Sequence, residues 1–502
     1  MSNVTTTPEI VTIDNLRTIT RTRSLGYGIS LIVLGAIEVL WFGSTPSSIH
    51  TQIQLAYNSA TSVPELSSWL RVLVLVLGVL VLPLAFGPSV FSPLPRLPRA
   101  ARIVAAIVGV LFVAWPISLW LGINQDGQIR DFLVSVSVTG YLFGAISAVV
   151  GAIVVWRRFD RLASPLLYAG IVLFILAFLI WVARITPIDN LPLPLTGILW
   201  GAIQWSPFLA LGALAGTMSE RSGVVNIAIE GQFIAGALVS TLVASAMNGT
   251  GISLWLALLL AGSIGMVFSW VLALMANRYR ANQIIVGILL VSFATAVSQF
   301  ISDAVLDVHQ NLNQTLTLPT WNVPVLSRIP VVGPVLFAQN IIVYITIGMA
   351  VFTNVLLFRT RWGLRTRSVG EKPIASETVG INVFRMRYAA TILGGFLAGL
   401  GGAALTLGKD TQFAFGMSNN FGYVALAIMI FGRWRPYGAL VASLLFGFTA
   451  SLGAQVSIWS GQTHIPGAFI DALPYAVTIL VVSGLVGRIR PPAADGLPFV
   501  RR

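Results

Sequence analysis

Glu220, Arg221, Asn226 and Glu230 fall within thirteen residues, 219–231, directly after an apolar run that ends near Met218. Two carboxylates, a guanidinium and an amide at that spacing could bind a polar solute, relay a proton or pair with one another. The rest of the chain makes them conspicuous, because only 9% of its residues are charged. Ionisable groups at membrane depth are costly, so they mark a pathway, a switch or a buried polar contact. For Glu230 two readings stand side by side: a group on a solute pathway, or a structural residue paired with Arg221, the nearest cation in sequence.

The elements that must position these residues are membrane spans. Of 502 residues, 56% are hydrophobic, and apolar runs long enough to cross a ~30 Å hydrocarbon core recur throughout. There are no cysteines and only three histidines, His50, His309 and His464, far apart in sequence. Disulfides, thiolate nucleophiles and Cys-based metal sites are excluded, and a histidine metal site is not expected. Spans are expected at 25–43, 68–87, 103–121, 132–156, 164–183, 196–217, 226–247, 252–275, 284–306, 339–358, 388–407, 421–432, 437–456 and 469–487. This predicts an all-α polytopic membrane protein of about 14 transmembrane helices, with both termini on one side. With those termini in the cytoplasm, all of the 30 basic residues except Arg71, Arg130, Arg184, Arg328 and Lys409 fall inside. Positive residues collect on the cytoplasmic side, so the formal charge of +13 is topological and nucleic acid is not implied. The first span reads as a retained anchor, since Phe42-Gly43-Ser44 is a poor signal-cleavage site.

Residues 1–160 form an N-terminal extension of about four spans in which no chemistry is evident. Glu38 and Asp131 there are expected to face water. Residues 161–490 form the core, and 491–502 a cytoplasmic tail. In the core, Gly394, Gly395, Gly399, Gly401 and Gly402 read as close helix packing. The sequence after them lacks the spacing of a phosphate loop, so no cofactor is expected and ATP is not bound by this chain. Two places interrupt the long spans: the stretch from Gly223 to Gly231, and residues 411–432, where a run of about ten apolar residues is half a bilayer long. Interrupted helices in corresponding halves of a transporter point to a midplane site, or they are interfacial loops. In the basic loop 359–387, Pro373 and Gly380 bracket a short helix. It suits docking into a partner's groove, and equally a loop held at anionic membrane lipid.

Four stretches together resemble the permease subunits of ABC importers for nucleosides and simple sugars, within the wider branched-chain amino acid and ribose-type group. They are residues 219–231 (SERSGVVNIAIEG), 282–290 (NQIIVGILL), 370–387 (GEKPIASETVGINVFRMR) and 422–438 (GYVALAIMIFGRWRPYG). The resemblance spans roughly 160–490. The Asn-Ile-x-x-Glu-Gly form at 226–231 is similar to the nucleoside branch, although Ala228 and Gln232-Phe233 stand where the family more often shows Gly and Met-Met. The resemblance implies a type II importer permease core of inverted repeats in the cytoplasmic membrane. It also implies that Gly370, Glu371, Pro373, Ala375, Glu377 and Gly380 belong to a segment coupling to a separate ABC ATPase. A homologous permease subunit, as a hetero- or homodimer, and an extracytoplasmic substrate-binding lipoprotein are the other implied partners. This chain would then be no enzyme itself, the ATP being used by its partner. Asn226, Glu230 and Gln232 become candidates for the substrate pathway, with Phe413 and Phe415 as aromatic walls for a base or as ordinary core residues. The competing reading is an ion-coupled secondary transporter of a small polar solute, for which Glu230 and Asp471 would be the candidate ion sites. For residues 1–160 a structural or assembly role is a third.

Overall fold

Apolar runs of span length become helices because a backbone in lipid must satisfy its own hydrogen bonds. The computed structural model describes residues 13–42, 44, 50–54, 132–157, 170, 174, 193–247, 251–324, 326–328, 332–460 and 490–500. The chain divides into two units, Met1–Leu195 with Val456–Ile465, and Thr196–Gln455 with Pro466–Arg502.

In the first unit, helices α1 (Ile13–Ile37) and α2 (Val136–Arg157) pack side by side. Gly35 of α1 lies against the Gly144 backbone of α2, and Gly28 against Gly151. A short strand β1 (His50–Gln54) pairs antiparallel with β2 (Phe132–Ser135) and parallel with β3 (Leu193–Pro194). The expectation that Glu38 faces water is wrong, for it is fully buried. The helices approach so closely at Gly144 that the Glu38 and Val39 side chains are enclosed there, with Ser147 beside the carboxylate. Asp131 lies outside the described residues.

The second unit holds α3 (Leu195–Glu220), α4 (Ile229–Ala246), α5 (Gly251–Asn277) and α6 (Gln283–Ile301). After a small hairpin of β4 (Thr320–Asn322) and β5 (Ala338–Asn340) come α7 (Ile341–Arg359), α8 (Arg361–Glu371) and α9 (Pro373–Thr378). Then follow α10 (Val383–Leu405), α11 (Phe421–Phe431) and α12 (Pro436–Ser460). Among the described residues eight helices are long and apolar enough to cross a membrane, and Leu25–Leu40 and Phe421–Phe431 are shorter apolar segments. These coincide with ten of the expected spans. Those at 68–87, 103–121, 164–183 and 469–487 lie outside the described residues, as does Asp471. The span window of α10 is 83% buried and that of α6 only 22%, so α10 is central and α6 peripheral. Gly395 and Gly399 let α10 approach the α5 backbone at Gly265 and Ala261, as close packing between lipid-embedded helices requires.

Candidate functional site

The two interruptions meet. Helix α3 stops at Glu220, residues 221–228 run without regular structure, and α4 begins at Ile229. Farther along, α10 opens into a π-helical turn, Thr406–Asp410, and the chain passes through left-handed residues at Thr411, Asn419 and Asn420 before α11. Glu230, 4% exposed, joins the two. Its Oε1 accepts the Asn420 N–H at 3.1 Å and its Oε2 the Gly422 N–H at 2.6 Å. The first N–H groups of a helix have no partner within it, and its N-terminus carries partial positive charge. A carboxylate there satisfies both needs. Residue 422 has to be glycine, because a Cβ would stand 2.5 Å from the Glu230 backbone.

The other end of α11 is held by the residues just before the first interruption. Arg221 donates through Nε to the Trp434 carbonyl at 3.1 Å and through Nη2 to that of Arg433 at 3.4 Å. Trp434 in turn donates its indole N–H to Glu220 Oε2 at 2.6 Å. Burial pushes the Arg221 pKa down from its usual value, and nearby Glu371 works against that shift. The alternative in which Arg221 pairs with Glu230 is therefore not realised. The two sit at opposite ends of an eleven-residue helix, roughly 15 Å apart along its axis. Trp205 and Phe208 of α3 pack against Phe421 at the start of α11, with ring centroids at 5.5 and 5.2 Å. Lys409 lies 4.2 Å above the Trp205 ring.

Asn226 and Gln232 form a reciprocal amide pair at 3.3 and 3.5 Å, and Gln232 also donates to Ser269 of α5 at 2.9 Å. All three are fully buried. This arrangement satisfies buried polar groups within the protein, and it ties the start of α4 to α5. Phe413 is buried among Ala237, Leu238 and Leu306, with both its backbone N–H and its carbonyl bound by the Asn313 amide at 2.8 and 2.9 Å. Phe415 is half exposed. Phe413 and Phe415, together with Met417, Ser418 and the α6 residues Thr295 and Ser298, line a cavity of about 30 Å³. That volume admits a water molecule, whereas small-molecule sites need some hundreds of Å³. Glu230 reaches the edge of this region through Ser418, but Asn226 and Gln232 do not line the cavity.

The basic loop folds as two helices rather than one. Thr360 caps α8 by accepting the Gly363 N–H at 3.0 Å. After α8, Pro373 opens α9, and Gly380, at φ 84°, turns the chain toward α10. Ile374, Ala375 and Val379 are exposed along this short helix. Gly370 sits against the Arg221 carbonyl, where any side chain would collide, so the loop bears directly on the first interruption. The Glu371 carboxylate accepts the Ala493 N–H at 3.4 Å. Among the described residues no group of His, Asp and Glu could hold a metal ion.

Residues 198–482 match the model of the branched-chain amino acid transport system / permease component family. The chain belongs to that family. Similar proteins include the nucleoside ABC transporter permease protein NupC of Lactococcus lactis, 37% identical over 59% of this chain and 94% of the relative. The guanosine ABC transporter permease protein NupQ of Bacillus subtilis is 37% identical over 58% and 93%. The putative glucose ABC transporter permease protein TsgC13 of Haloferax volcanii is 31% identical over 51% and 76%. No solved structure matches. In this permease the family match takes in both interruptions, α8 and α9, while α1, α2 and the segment 490–500 fall outside it. Sequence reasoning missed Trp434, Ser269, Asn313 and the 490–500 segment. Their partners are distant in sequence and mix side-chain with backbone groups, and only the Asn-rich and Gly-rich composition near 420 hinted at the joint.

Proposed function

We propose that this permease carries nucleosides across the cytoplasmic membrane as half of a translocation pore driven by ATP on a separate ATPase. The observation that carries the reading is the joint between the two interruptions. Glu230 seats a half-membrane helix on the break between α3 and α4, and that break touches α8, the first helix of the cytoplasmic loop. Identity to permeases named for nucleosides and guanosine favours that cargo over a sugar. The exposed apolar residues of α9 suit docking on the ATPase, so Gly370, Glu371, Pro373, Ala375, Glu377 and Gly380 form the coupling segment. The remaining partners are a second, homologous permease and an extracytoplasmic substrate-binding lipoprotein. The full chain has fourteen spans with inverted repeats in the core and both termini in the cytoplasm. Phe413 and Phe415 belong to the pathway wall, and Glu230 to the seat of the helix beside it. Asn226 and Gln232 support that seat from behind. An ion-driven carrier is disfavoured because both Glu230 oxygens are already engaged by backbone donors.

The test is reconstitution with the ATPase and binding protein in liposomes, following labelled guanosine and labelled glucose. ATP-dependent uptake of guanosine in excess of glucose is expected. Uptake that persists with a hydrolysis-dead ATPase under an ion gradient would overturn the proposal.

A further inference from the structure

The segment 490–500 touches the first interruption, α8 and the start of α10. Its turn at 493–496 places the Ala494 N–H on the Gly370 carbonyl of α8 at 2.8 Å. The Ala494 carbonyl faces Gly223 in the first interruption, and Gly496 faces Val225. Leu497 offers its carbonyl to Arg387 Nη1 at 2.9 Å. Phe499, 3% exposed, is packed with Val369 of α8 and with Val383 and Met386 of α10. Its ring meets that of Phe384 edge-on at 5.4 Å.

Two further features show that the core is built to receive this segment. Arg387 is fully buried on α10, and its Nε and Nη2 have no acceptor among the described residues. The Leu497 carbonyl is thus its hydrogen-bond acceptor, and Asp495 is its nearby counter-charge. A guanidinium left bare at such a depth would be strongly unfavourable. Asp495 also stands beside Glu220, whose other partner is the indole of Trp434 at the end of α11. The segment is therefore interposed between α8 on one side and the seat of α11 on the other.

We propose that residues 493–499 are a strap that transmits displacement of α8 and α9 to the half-helix α11, with Asp495, Leu497 and Phe499 as positioning residues. This rests on the ATP-driven reading given above. Movement of α8 pulls the Ala494 N–H and the Phe499 ring with it. The strap then shifts Gly223 and Glu220, and with them the carbonyl end of α11. Without the strap, α8 and α9 still meet the ATPase, but their motion reaches α11 through Arg221 alone, by way of Gly370 and Glu371, with less of the α8 surface engaged.

The experiment measures guanosine taken up per ATP hydrolysed by the complete transporter in liposomes, for the unaltered chain, for a chain lacking residues 491–502, and for Phe499→Ala and Phe499→Leu. Truncation is expected to leave ATP hydrolysis within about twofold while uptake per ATP falls about tenfold, the size of an ordinary coupling between sites. Phe499→Ala is expected to reproduce part of that loss and Phe499→Leu to restore it. Equal losses of hydrolysis and uptake, or an unchanged ratio, would overturn the strap. If the truncated chain does not assemble with its partners, the Phe499 pair decides by the same ratio. Absence of ATP-dependent uptake by the unaltered chain would instead sink the importer reading itself.

Discussion

In the smaller unit Gly35 of α1 and Gly144 of α2 meet backbone to backbone, and Glu38, a carboxylate enclosed there, has no cation beside it among the described residues. In the larger unit glycines also bring helices together at Gly395 and Gly399, yet its buried charges do something else. Glu230 and Arg221 cap the two ends of an interrupted helix, while Glu220, Arg387 and Asp495 gather beneath it. Apolar helices gain little from association in lipid, so close packing of small residues suffices to hold a pair together. A helix that stops halfway leaves orphan N–H and C=O groups at a depth where water is scarce. It has to be capped by side chains from elsewhere. The contrast sets the described helices of the smaller unit, held by small residues, against a region whose charges hold irregular backbone in the membrane.

The largest effect expected from that contrast comes from Glu230→Ala. Losing two charge-assisted hydrogen bonds removes about 3 kcal/mol, or about a hundredfold in the population with α11 seated, and guanosine uptake in liposomes should fall accordingly. Glu230→Gln keeps one acceptor and should lose about tenfold. Uptake unchanged in both would show that the cap is dispensable. Next comes Arg221→Ala at the other end. Two carbonyls lose their donors at a less deeply buried position, so a drop of about fivefold is expected, read in the same assay.

A smaller effect follows from acidity. Burial raises the Asp495 carboxyl from 3.8 to about 6, partly offset by its contact with Glu220 and by Arg387. The docked strap therefore binds a proton more tightly than the released one. Docking is strongest below about pH 4 and weakens as pH rises through about 6, and Glu220, whose carboxyl burial and Asp495 also push up, extends the decline to higher pH. Protease cleavage of the tail should accordingly accelerate as pH rises, and Asp495→Asn should flatten the profile. The smallest effect on transport is expected in the other unit. Gly35→Leu forces the helices apart at a cost of about 1–3 kcal/mol, lowering the thermal midpoint of the purified protein while uptake per molecule stays within about twofold. A collapse of uptake would mean that the smaller unit shares in transport, and the contrast would fail.

Much of this was legible from residue types. Apolar length located ten spans among the described residues, Pro373 and Gly380 bracketed α9, and the short run before Gly432 announced a half-helix. The partners of the charged residues were not legible. Glu230 binds N–H groups 190 and 192 positions away, and Arg221 binds carbonyls. Such groups recur along the whole backbone, so no side-chain pattern advertises them, and the nearest opposite charge, one of the two readings held for Glu230, is not its partner. Asn226 and Gln232 were named for the pathway as polar groups of the first interruption, and their hydrogen bonds to each other, six residues apart, were not legible from that. Glu38 looked exposed because its position near a span end says nothing about how tightly Gly144 closes beneath it.

The two caps of α11 come from positions only nine apart in the chain, Arg221 and Glu230, so the connection between α3 and α4 works as a caliper. Its jaws grip backbone, and of the side chains between them they require only that residue 422 have none. Replacing the exposed residues of the half-helix would leave its seat intact. Inserting a single one would lengthen it by about 1.5 Å and swing its far end by about 100°, out of reach of one jaw. The permease has in this way fixed the length of this half-membrane segment more strictly than the composition of its exposed face.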